Sequence, residues 1–74
     1  MPLTNRLREF RARTGENQQE LGTAVGASRQ TISLIERGDY SPSVTLALKI
    51  ARHFSARVDE IFSYTDDPEG GTEE

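Results

Sequence analysis

The chain has 74 residues, a formal net charge of −3, no cysteine and a single histidine. A chain of this length makes one small domain near the lower limit for a core that folds unaided, so a separate catalytic domain is excluded. Without cysteine there is neither a disulfide nor a thiolate zinc site, and His53 cannot hold a metal alone, so no metal or cofactor is expected.

Leu3, Leu7, Phe10 and Thr14 recur at helical spacing, with Thr4 or Asn5 as caps, which predicts a first helix over residues 4–13 ended by Gly15. Asn17 followed by Glu20 is a capping-box pattern, in which each side chain satisfies the other residue's free amide. It opens a second helix that buries Leu21, Ala24 and Val25 and stops at Gly26. Ser28 caps a third helix, with Ile32 and Ile35 as its buried pair and Gly38 as its end. Pro42 with Ser41 or Ser43 opens a fourth, in which Val44, Ala47, Leu48, Ile50, Ala51 and Phe54 share one wide face. Leu46 and His53 are expected to point the other way, His53 into solvent. A short fifth helix, Val58 to Phe62, turns Ile61 and Phe62 back onto the core. No segment alternates as a strand would, so the reading is all-α.

The net charge hides an asymmetry. Residues 1–57 carry nine basic and five acidic residues, a net of +4, whereas the last 17 residues carry seven acids and no base. "YTDDPEGGTEE" has the composition of a disordered, solubilising tail, so a domain over residues 1–63 and an acidic tail over 64–74 are expected. Met1-Pro2-Leu3-Thr4 has no apolar segment behind it, and no apolar run approaches the ~20 residues that cross a bilayer, so a soluble cytoplasmic protein without a membrane partner is expected. The mildly basic front permits a phosphate-bearing partner.

Only Gly26, Ala27 and Ser28 separate the second and third helices, too few for an antiparallel pair, so the two should cross steeply as in a helix-turn-helix unit. The closest position at such a crossing must be small, and Gly22 is the smallest residue available, one turn before Gly26. With Ile32 and Ile35 turned inward, Gln30, Ser33, Leu34 and Arg37 sweep the opposite arc of the third helix. That arc has the chemistry of major-groove reading. Glutamine pairs with adenine, arginine reaches guanine or phosphate, and small hydroxyl side chains pack against base edges. Free amides at the starts of the second and third helices suit phosphate oxygens. Thr31 lies nearer the buried side.

"NQQELGTAVGASRQTISLIERGDYSPSVTLALKIARHFSARVDEIF" resembles the lambda-repressor/Cro-like helix-turn-helix regulators, and the resemblance covers residues 3–62. It implies a compact five-helix fold that binds double-stranded DNA. It implies that Gln18 clamps a phosphate, that Ser28, Arg29, Gln30 and Ser33 meet backbone or bases, and that Arg37 contacts a phosphate; Gln19, Thr31 and Leu34 are included in the expected DNA-binding set, Leu34 toward a thymine methyl or no base and Thr31 chiefly as a packing residue. Arg11 and Glu36 match a partly buried salt bridge between the first and third helices. The sequence departs from the family pattern at Gly22, where alanine is usual and glycine should loosen the helix by ~1 kcal/mol. Leu34 replaces a frequent polar base reader, and Asp39 replaces a frequent lysine near the DNA backbone. Arg57 replaces a common serine cap.

The expected function is therefore a sequence-specific transcriptional regulator, a repressor acting as a homodimer on a two-fold operator, since one recognition helix per half-site generally needs a second copy. Phe62, Ile61, Leu46 and Tyr64 are the expected dimer surface. The alternative is an antitoxin-like module whose main partner is another protein, favoured by the acidic tail and Asp39. An enzyme is excluded because no nucleophile, base and orienting group converge.

Overall fold

The computed structural model describes residues 3–64. Five helices follow in order: α1 Leu7–Thr14, α2 Gln18–Val25, α3 Arg29–Arg37, α4 Val44–His53 and α5 Val58–Ile61. Two three-residue strands, β1 Leu3–Asn5 and β2 Phe62–Tyr64, pair antiparallel with Leu3 opposite Tyr64 and Asn5 opposite Phe62. The class is helical as expected, and this ribbon is an addition to it. The acidic segment from Thr65 onward lies outside the described residues.

The first helix starts later than its apolar spacing suggests. Thr4 and Asn5 are held in β1, and Asn5 serves both neighbours: its Oδ1 accepts from Leu7 N–H at 3.0 Å and its Nδ2 donates to Ile35 O at 2.8 Å. The N-cap itself is Arg6, without a side-chain cap bond, and Asn5 ties the start of α1 to the last turn of α3. The local caps of α2 and α3 form as the sequence predicts. Asn17 Oδ1 accepts from Glu20 N–H while Glu20 Oε1 accepts from Asn17 N–H, and Ser28 Oγ accepts from Thr31 N–H. Arg57, where a serine cap was absent, is served instead by Glu60, whose Oε1 accepts from Arg57 N–H at 2.7 Å.

Leu7, Phe10, Leu21, Val25, Ile32, Ile35, Ile50, Ala51, Ile61 and Phe62 form one core. The buried arc of α4 is centred on Ala47, Ile50 and Phe54, which corrects the expected orientation. Leu46 is half-buried against the core on one flank, whereas Val44 and Leu48, expected inside, fall beyond the other flank at 76% and 55% exposure. Ala24 is also exposed. Ile61 and Phe62 are core residues, so they are not available as a dimer surface; of the expected set only Tyr64 stands in solvent.

At the α2–α3 crossing Gly26 takes φ +76°, and Ala27 N–H donates to Gly22 O at 2.8 Å. A Cβ on Gly22 would stand 2.6 Å from Ala27 O and 3.2 Å from Ser28 C. Glycine here gives up helix propensity for close approach of the turn backbone. Replacing a helical glycine with alanine ordinarily stabilises by about 1 kcal/mol. Gly22→Ala is expected to forfeit that gain, because the turn carrying Ser28 must be displaced; denaturant unfolding checks it, and a full gain would show that the turn is not held this tightly.

Candidate nucleic-acid interface

The interface is organised by a carboxylate that the apolar surroundings cannot solvate. Glu36, on the last turn of α3, has a side chain 1% exposed. Its oxygens collect donors from two other helices: Arg11 Nε to Oε2 at 2.6 Å, Arg11 Nη2 to Oε1 at 3.1 Å and Gln18 Nε2 to Oε1 at 3.0 Å. Arg8 Nε stands 3.7 Å from the same Oε1. Burial pushes the Glu36 carboxyl up, but hydrogen bonds from Arg11 and Gln18 and the charges of Arg11 and Arg8 outweigh it and hold the group below the usual carboxylate range. The bond to Glu36 holds the Arg11 guanidinium above its ordinary value, against the opposing effect of burial.

The Arg11–Glu36 bridge assigned from the sequence is thus present, and it is wider than a pair. Arg11 Nη1 also donates to Glu16 O at 3.0 Å. The Glu16 carboxylate accepts from Thr14 Oγ1 at 2.8 Å and meets His53 Nε2 at 2.7 Å. His53, expected in open solvent, instead bridges the end of α4 to the α1–α2 turn. Burial raises the Glu16 carboxyl, and the bonds from Thr14 and His53 and the charges of His53 and Arg11 bring it net below its ordinary value.

Each candidate contact residue can now be placed. Gln18 and Gln19 are the first two residues of α2, and among the described residues neither backbone N–H has a partner. Gln18 is half-buried with its amide on Glu36, while Gln19 is exposed. The α2 start therefore sits beside the end of α3. Along α3, Ser28, Arg29, Gln30 and Arg37 are exposed, and Ser33 and Leu34 are half-buried. Thr31 is half-buried too, its hydroxyl 2.9 Å from Ser28 Oγ, consistent with its position near the packed side. Arg37 Nη2 pairs with Asp39 Oδ2 at 2.9 Å, a partner that the spacing of two residues makes readable in the sequence.

A family profile described as "Helix-turn-helix" matches residues 7–61, which spans the α2–α3 unit and the helices that support it. The chain belongs to the helix-turn-helix family. It is 48% identical over 65 residues to an uncharacterised helix-turn-helix-type transcriptional regulator of Archaeoglobus fulgidus, covering 88% of this chain and 93% of the relative. It is likewise 48% identical over 60 residues to the uncharacterised regulator YgzD of Bacillus subtilis, covering 81% of this chain and 91% of that one. Among solved structures, the P22 c2 repressor in complex with a synthetic operator superposes with a TM-score of 0.71 at 30% identity, over 73% of this chain and 82% of the repressor. The family and its relatives are of the regulator type, and this helix-turn-helix chain is not an enzyme. No helix among the described residues is long and apolar enough to cross a membrane.

Removing one partner of a buried ion pair strands the other, which typically costs 3–5 kcal/mol. Glu36→Ala is expected to destabilise by about 3 kcal/mol, with Arg11→Ala/Glu36→Ala costing clearly less than the two single losses together. Additive losses in that cycle would show no coupling.

Both Glu16 and Glu36 titrate lower in the folded chain than unfolded. Their contribution is therefore complete above the unfolded value of about 4.3 and is lost as pH falls through the folded values. Melting temperature is expected to drop as the pH is lowered below about 4.3, and less steeply in Glu16→Gln.

Proposed function

We propose that the protein is a sequence-specific DNA-binding transcriptional regulator, a repressor that acts in the cytoplasm as a homodimer on a two-fold related operator. The observation that carries this reading is the outer face of α3: Arg29, Gln30 and Arg37 are exposed at one to two turns' spacing, with the free amides of the α2 start beside the helix's last turn. A helix so furnished reads base edges from its middle and grips phosphates from its ends. The regulators named among its relatives and the operator-bound P22 c2 repressor support the same reading.

On this reading Gln30 reaches bases, with Ser33, Leu34 and Ser28 around it, while Gln18, Gln19, Arg29 and Arg37 hold the backbone. Two copies are needed because a single α3 offers one half-site. The exposed apolar side chains Val44 and Leu48, one turn apart on α4, support a dimer surface on that helix in place of Ile61 and Phe62. Sedimentation at high micromolar concentration is expected to show a dimer, and Leu48→Glu to shift it to monomer.

Losing a base contact removes roughly 1 to 3 kcal/mol from the preferred site and far less from unrelated DNA, whereas losing a phosphate contact weakens all sequences alike. Gln30→Ala is thus expected to lower the ratio of operator to scrambled-duplex affinity, and Arg37→Ala to lower both affinities with the ratio nearly unchanged. Asp39→Asn, which frees Arg37 from its partner, is expected to tighten both. Titrations of each variant after selecting bound sequences from a random pool check all three. Equal weakening of both duplexes by Gln30→Ala would mean that α3 is not inserted as proposed and that a protein partner is the better reading.

A further inference from the structure

Arg8, on the first turns of α1, belongs to none of the contacts proposed above. It is 73% exposed, yet its Nε stands 3.7 Å from Glu36 Oε1. The same oxygen accepts from Gln18 Nε2 at 3.0 Å. Two groups anchored on one atom are close to each other, here within about 7 Å. A phosphate that accepts one charge-assisted bond of about 2.8 Å from each of two donors bridges a gap of that size.

Charge points the same way. Arg11 already neutralises Glu36 through two bonds, so Arg8 is surplus to the buried carboxylate, and Glu16, the acid just before α2, is engaged by Thr14 and His53. The neighbouring acid, Glu20, is turned onto Asn17 N–H. With Nε toward Glu36, the terminal nitrogens of Arg8 have no partner among the described residues. The Gln18 amide is fixed in the same manner: one N–H is given to Glu36, and the planar group leaves its second N–H for another acceptor.

We propose that Arg8 is a DNA-backbone contact that clamps one phosphate together with Gln18, with Glu36 Oε1 as the positioning atom that sets the spacing of the two. This rests on the DNA-binding reading. The clamp adds a contact from α1, outside the helix-turn-helix unit, and makes no demand on sequence.

The test uses the full chain and a mixed-sequence duplex, so no operator is required. Binding is titrated over a salt series for the unchanged chain, Arg8→Ala, Arg8→Lys, Gln18→Ala and Arg8→Ala/Gln18→Ala. Arg57→Ala serves as control, since Arg57 is 79% exposed, pairs with Asp59 and makes no bond to Glu36 or Gln18 among the described residues. Arg8→Ala is expected to weaken binding on the order of tenfold at low salt and to reduce the salt slope by about one, with Arg8→Lys keeping the slope. The double variant is expected to lose less than the product of the single losses. The inference is overturned if Arg8→Ala changes the slope no more than Arg57→Ala does, or if the losses at positions 8 and 18 multiply. A chain that binds no duplex at any salt overturns the DNA reading itself, and the inference with it, and that outcome is distinct because it appears before any substitution.

Discussion

A buried carboxylate must be surrounded by donors, and in this chain that requirement fixes the mutual position of three helices. Glu36 belongs to α3, Arg11 to α1 and Gln18 to α2, and all three meet at two oxygen atoms. The apolar contacts of Leu7, Phe10, Leu21, Ile32 and Ile35 supply attraction, but oil-like burial is tolerant of small rotations. Charged hydrogen bonds are not. Replacing such a buried pair with apolar residues is often neutral in stability, so what it contributes here is geometry: the end of α3 and the start of α2 are held at a fixed separation. Every contact proposed for DNA is referred to that separation.

How much of this could be read from the sequence divides by distance along the chain. Asn17 with Glu20, Ser28, Gly26 and Gly38 announce their helices because caps and left-handed glycines are decided within a few residues. The inward pair Ile32 and Ile35 and the outward Gln30 and Arg37 follow from helical period alone. The ribbon of β1 and β2 does not, since each strand is three residues long and its partner is nearly the whole domain away. In α4 six apolar residues spread around more than half the helix, so their positions leave the buried arc undetermined until α2 and α5 are in place. That is why Val44 and Leu48 emerged and Leu46 went in. At the candidate site the residue types were legible and the roles of Gln18 and Arg11 followed from resemblance. The partners that modulate them, Glu36 for Gln18 and Glu16 for His53, required the folded chain.

A net charge of −3 and a DNA ligand are compatible because screening makes charge a local quantity. At physiological salt the Debye length is about 8 Å, so a phosphate at the start of α2 responds to the charges around it, Arg8, Arg11, Glu16, Glu20 and Glu36, far more than to acids elsewhere on the chain. Asp39 acts within that range of Arg37. On the proposed reading, its bond to Arg37 means that a phosphate displaces a carboxylate before gaining the guanidinium, which lowers affinity for every sequence while leaving the proposed base readers untouched.

The ribbon joining Leu3 to Tyr64 also decides how the domain answers mechanical force. Because the two described ends of the chain face each other across an antiparallel pair, tension applied through them pulls the strands apart like a zip, loading one rung at a time beginning at the open end. Such a geometry resists little compared with strands sheared lengthwise, where all rungs share the load. Peeling proceeds from Leu3 to Asn5, and Asn5 is the residue that accepts from Leu7 N–H and donates to Ile35 O. A pull at the termini therefore arrives, after three residues, at two places at once: at Phe62 in the core, and at Asn5, whose bonds hold the start of α1 and the last turn of α3.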